Sequence, residues 1–107
     1  MTTEVILTKQ YIQQYIEYNK INIEKPFALY LNDNQISSIK KNAFDGLNNL
    51  VGLGLSRSKI TSIKKGDFDG LNKLKWLNLT NNKIPSIENK SYESREEILE
   101  LIEKLNS

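Results

Sequence analysis

Residues 29–50 read LYLNDNQISSIKKNAFDGLNNL, and residues 53–74 read LGLSRSKITSIKKGDFDGLNKL. Laid over one another with a shift of 24, 13 of the 22 positions are identical: Leu29, Leu31, Ile36, Ser38, Ile39, Lys40, Lys41, Phe44, Asp45, Gly46, Leu47, Asn48 and Leu50 all recur. Chance in a biased composition supplies roughly one or two such matches, so the period is a property of the chain. A third copy continues through Leu77, Leu79, Asn82, Ile84 and Ile87.

Each copy has two halves. The alternation at Leu53 and Leu55 is the period of a short strand with one buried face. The spacing of three through Phe68, Leu71 and Leu74 predicts a tight helical or 3₁₀ return, with Gly70 easing the turn. A unit of one strand and one return cannot bury its own apolar edge. Stacked units can, because Leu29, Leu53 and Leu77 then form one column and Leu31, Leu55 and Leu79 another.

These residues follow the pattern LxxLxLxxNxL over about residues 26–90, and the chain resembles the leucine-rich repeat family. The resemblance implies a curved α/β solenoid with a short parallel sheet on its concave face. It also implies that Asn34 and Asn82 hydrogen-bond the backbone of neighbouring coils, with Ser58 standing in the same place in the middle copy. Pro26 occupies the first leucine position of the first copy and departs from the pattern, which marks a hand-over from a terminal cap.

A short stack leaves a hydrophobic cross-section and open strand edges at both ends, so helical caps are expected. Tyr11, Ile12, Tyr15 and Ile16 share a helical face within residues 8–20, and Thr8 is placed as N-cap. Ser94-Arg95-Glu96-Glu97 reads as a capping box, followed by Ile98, Leu101, Ile102 and Leu105 at helical spacing. Tyr92 and Ile98 lie one period after Phe68 and Leu74, so this helix is read as starting in a fourth, degenerate repeat. The expected organisation is one domain, 1–107: an N-terminal cap (1–25), about three repeats (26–90) and a C-terminal cap helix (91–107).

The chain has 107 residues with neither histidine nor cysteine. That excludes disulfides, thiol nucleophiles and imidazole-based triads, and no metal or cofactor is expected. Asp45 and Asp69, each between a phenylalanine and a glycine, read as turn residues, and no second acid stands beside them to divide acid and base duties. The chain is therefore expected not to be an enzyme. The opening stretch, Met1 to Thr8, lacks a basic segment followed by an apolar run, which leads to the expectation of a cytoplasmic protein with no membrane partner.

Charge is uneven. Residues 25–90 hold 11 basic and 5 acidic side chains, a balance of +6, whereas residues 91–107 hold 2 and 5 and residues 1–24 hold 2 and 3. Lys40 and Lys41 recur as Lys64 and Lys65, giving a basic stripe that could contact a nucleic acid backbone. No aromatic residues interleave with it, so base stacking is not supported.

Alternation also locates a binding face. With Leu53 and Leu55 inward, Gly52, Gly54 and Ser56 point to the concave side. One period away lie Ala28, Tyr30 and Asn32 on one side and Trp76, Asn78 and Thr80 on the other. The only tryptophan beside two glycines has the form of a hot-spot cleft, unless its ring simply folds over the glycines. Asp33, Arg57 and Asn81 form its polar rim. The family resemblance implies binding of another protein here, a small inhibitor of a larger intracellular enzyme being one concrete form. A nucleic-acid-associated protein using Lys40, Lys41, Lys64 and Lys65, and a self-associating structural protein (monomer or weak oligomer), are the alternatives.

Overall fold

In the computed structural model, residues 3–107 are described; Met1 and Thr2, the start of the stretch read for a leader, lie outside the described residues. The elements run β1 (Val5–Leu7), α1 (Lys9–Tyr18), β2 (Phe27–Tyr30), β3 (Ile36–Ile39), β4 (Leu50–Gly54), β5 (Trp76–Asn78), β6 (Ser91–Tyr92) and α2 (Arg95–Asn106). β2, β4 and β5 are the same segment of three successive repeats. They pair in parallel, with Leu29 beside Leu53 and Leu53 beside Leu77. A second sheet, of two parallel strands, joins β1 to β3.

The period is written into the backbone hydrogen bonds. Leu31 N donates to Gly54 O and Leu55 N to Asn78 O; Asp33 N donates to Ser56 O and Arg57 N to Thr80 O; Lys59 N donates to Ile36 O and Lys83 N to Ile60 O. Each bond recurs 24 residues on. The left-handed positions recur too: Asp33, Arg57 and Asn81 at φ 62°, 50° and 60°, and Gly46 and Gly70 at φ 82° and 85°. At the two glycines this geometry carries no Cβ penalty, which is why the repeat keeps them.

Both leucine columns are buried: Leu29, Leu31, Leu53, Leu55, Leu77 and Leu79 are each 0% exposed. Phe44 stacks on Phe68 with centroids 6.1 Å apart, so the return paths carry an aromatic column of their own. Those returns are consecutive turns rather than helices. Their bonds span three residues, as in Leu47 N to Phe44 O and Leu71 N to Phe68 O. The spacing of three fits this geometry.

At the N-terminal end Thr8 Oγ1 accepts from Tyr11 N at 3.0 Å, as expected of an N-cap, and α1 buries Ile12. β1 was not anticipated. A three-residue strand offers too little alternation to be recognised, and it forms because Gln35 O and Lys40 N are there to bond Val5 N and Leu7 O. At the other end Ser94 Oγ accepts from Glu97 N, and α2 buries Ile98 and Leu101. The fourth-repeat reading is corrected: β6 runs antiparallel to β5, so the chain reverses there instead of adding a coil. Arg95 then reaches back, donating to Leu71 O (2.9 Å) and Leu74 O (3.1 Å) of the second return.

The asparagine ladder is present in one coil of the three. Asn82 Nδ2 donates to Leu55 O at 2.8 Å, and its Oδ1 accepts from Ile60 N. Ser58 is too short to do the same, and its buried Oγ has no partner among the described residues. Asn34 corrects the expectation. The acceptor that corresponds to Leu55 O, two periods earlier, is Leu7 O, which receives Lys40 N, and Asn34 makes no side-chain hydrogen bond among the described residues. Asn89, by contrast, bonds Ile84 N and Ile84 O and closes the last turn.

Candidate functional site: the open face of the parallel sheet

The register sets three rows across the sheet. Ala28, Gly52 and Trp76 share the first, and Tyr30, Gly54 and Asn78 the second. Ser91 lies beside Asn78 through the antiparallel pairing, and Glu93 follows Tyr92 alongside Trp76. The third row continues with Asn32, Ser56 and Thr80. The structure thus brings Tyr30, Asn32, Trp76, Asn78, Ser91 and Glu93 around one shallow depression.

The open glycine cleft expected from sequence is not there. A Cβ built on Gly52 would fall within the Trp76 indole, so that ring lies flat on the glycine. A Cβ on Gly54 would meet Asn32 Oδ1 at 2.8 Å, so the Asn32 amide covers the second glycine. Gly52 and Gly54 are buried, and Ser56 is only 4% exposed while its N–H donates to Asn32 Oδ1 at 2.7 Å. Three of the expected contact residues are therefore the floor, and Trp76 and Asn32 are what the surface shows. An apolar ring placed on bare backbone gains burial for both, which is the physical reason for the collapse.

Tyr30 stands clear of the sheet at 63% exposed, its ring 5.7 Å from that of Trp76 and inclined by 34°. Asn78 is held by its own neighbour: Oδ1 accepts from Thr80 N (3.1 Å) and Thr80 Oγ1 (2.8 Å). Asp33 and Arg57 form the rim as an ion pair, and Asn81 follows one repeat later. The hydrogen bond from Arg57 holds the Asp33 carboxyl below its ordinary range, and the bond to Asp33 raises Arg57 in turn.

Sequence reading missed three contributors. Ser91 and Glu93 reach the face only because β6 turns back antiparallel, which no repeat pattern encodes. Tyr15 joins through its hydroxyl, which donates to Tyr30 O at 3.1 Å, so the aromatic surface continues onto α1. Tyr92, one residue before Glu93, faces inward, donates to Glu88 O, and has its pKa raised by burial and by Glu88 and Glu97.

The lysine stripe has a different character from the one its spacing implied. Lys40, Lys41, Lys64 and Lys65 are exposed, but Lys41, Lys64 and Lys65 line a depression together with Asp45, Asp67 and Asp69. Asp67 Oδ2 accepts from Lys64 N at 2.8 Å, while partial burial raises the Asp67 pKa. Within that depression three lysines face three aspartates, so its charge is mixed rather than one-sided.

No curated protein and no solved structure matches the chain. The family model described as leucine rich repeat matches residues 28–84, which is more than half of the sequence and covers β4, β5 and all of β2 but Phe27. With the 24-residue period, the leucine columns and this match in agreement, the chain belongs to the leucine-rich repeat family.

Proposed function

We infer that this protein is a short, capped leucine-rich repeat solenoid that binds another protein through the open face of its parallel sheet, without catalysing a reaction. Leucine-rich repeat domains are generally protein-interaction modules and typically not enzymes. The observation that carries the reading to this face is the Tyr30–Trp76 pair: two aromatic rings 5.7 Å apart on a sheet surface whose glycines leave nothing taller beside them. Tyrosine and tryptophan at the centre of a patch with polar neighbours are the usual anchors of protein interfaces. A small inhibitor acting on a larger cytoplasmic enzyme is the concrete form proposed.

The test is affinity capture from a lysate of the native source with three baits: the wild type, Tyr30→Asp, and Lys40→Glu/Lys64→Glu on the lysine stripe. A partner retained by the wild type and the lysine variant, and lost with Tyr30→Asp, supports the reading. A partner lost only with the lysine variant moves the site to the stripe and overturns it.

A further inference from the structure

We propose that the seam between the first and second repeats is a hinge, latched at the rim of the sheet face by Asp33 and Arg57 and pivoting on the stacked rings of Phe44 and Phe68. The inference concerns motion within the fold and stands apart from the assignment of the binding face.

The next seam, between the second and third repeats, is an internal control, because it is built from the same positions 24 residues on. The backbone bonds of the two seams match: Asp33 N to Ser56 O and Lys59 N to Ile36 O cross the first, Arg57 N to Thr80 O and Lys83 N to Ile60 O the second. Their side chains do not match. Across the second seam Asn82 Nδ2 donates to Leu55 O at 2.8 Å, and Asn82 Oδ1 accepts from Ile60 N at 3.2 Å. At the first seam Ser58 takes that place and makes neither bond; its Oγ is buried without a protein partner. Among the described residues one other buried side-chain atom shares that condition, Gln35 Oε1, next to the Ile36 carbonyl that receives Lys59 N. Gln35 also sits at φ 59°, a left-handed geometry that Lys59 and Lys83 do not adopt at the same place. Two missing bonds, two unpartnered oxygens and a strained residue thus gather on one edge of one seam.

What closes that edge is the ion pair. Asp33 and Arg57 directly precede the deficient positions and bond twice across the seam at 2.9 Å, but both are exposed, so salt screens the attraction. The opposite edge is held differently. There the rings of Phe44 and Phe68 stack at 6.1 Å and are buried, and Lys73 Nζ donates to Asn49 Oδ1. A seam fastened by buried rings on one side and by an exposed latch on the other opens at the latch. Tyr30 belongs to the first repeat and Trp76 lies beyond the second, so this motion changes the separation of the two rings and the shape of the sheet face.

Amide hydrogen exchange on the intact protein, followed residue by residue by NMR, compares the seams within one molecule. The Asp33 and Lys59 amides report on the first seam, and their equivalents Arg57 and Lys83 on the second. The expected result is protection at least about tenfold lower at Asp33 and Lys59, the size that two missing hydrogen bonds produce. Raising the salt to about 1 M lowers protection further at the first seam and leaves the second unchanged. Ser58→Asn, which supplies the missing side chain, raises protection at Asp33 and Lys59 alone. Equal protection at the two seams in the wild type overturns the proposal, whatever the variant does. So does a salt effect or a Ser58→Asn effect of the same size at both seams, since that reports global unfolding and not a hinge.

Discussion

Asp33 and Arg57 occupy the same place in consecutive repeats, both in left-handed backbone, and clasp one another by two bonds of 2.9 Å, Nε to Oδ1 and Nη2 to Oδ2. Asparagine and aspartate tolerate this backbone region through local hydrogen bonding; arginine does not share that advantage. The pair therefore links the first two coils at a point where the second coil carries strain, and it places opposite charges along the rim of the sheet face.

Asp33→Asn reports on this pair through acid melting. Because the folded-state carboxyl titrates below its ordinary value of 3.8, its contribution is complete above that value. It disappears as pH falls through the lower, folded-state pKa. The difference in Tm between wild type and Asp33→Asn should be constant near neutrality, shrink below about pH 4 and vanish in stronger acid. It should be small and salt-sensitive, since both side chains are more than half exposed. A difference independent of pH contradicts this assignment.

Leu55→Ala removes the centre of the second leucine column, with Leu31 and Leu79 on either side. Full burial sets the cost at about 2–5 kcal/mol. Urea unfolding is the measurement, and a loss under about 1 kcal/mol would mean that the columns are misregistered.

Gly52→Ala displaces the indole of Trp76, since the added methyl occupies the space of the ring. Overpacking of this kind costs about 1–3 kcal/mol. Trp76 emission should shift to the red as the ring leaves the sheet. Unchanged emission would show that Trp76 does not rest on Gly52.

Arg95→Met keeps most of the side-chain volume and removes both bonds to the carbonyls of Leu71 and Leu74. Charged hydrogen bonds of this kind contribute about 1.5–3 kcal/mol, so melting should fall by several degrees. Removal of 94–107 goes further, uncovering the surface under Ile98 and Leu101, and should yield aggregation on dilution from denaturant. A truncated chain that stays monomeric and melts cooperatively would show that α2 does not protect that surface.

What could be read in advance was what repeats. Identical residues at a spacing of 24 must meet identical neighbours, so the leucine columns and the turn glycines followed from the alignment of residues 29–50 on 53–74, and the parallel pairing from the family resemblance those residues carry. Thr8 and Ser94 were legible for a local reason, since an N-cap is a contact between residues three apart. The candidate face was legible only in outline. Periodicity assigned Gly52, Gly54 and Ser56 to the correct side, but not the fact that they are covered.

The sequence by itself determined the period, the buried columns and the chain's membership of its family, because all three are sums over identical units and tolerate a local irregularity. Tertiary structure alone decided where Trp76 and Asn32 lie, why Asn82 has a ladder bond and Asn34 has none, and how Ser91 and Glu93 reach the face. Each of those depends on a neighbour outside the repeat: an empty space above a glycine, a carbonyl already taken by Lys40, a strand that runs backwards. A side chain's direction is settled by what competes for the same space and the same hydrogen bond, and that competition exists only once the coils are stacked.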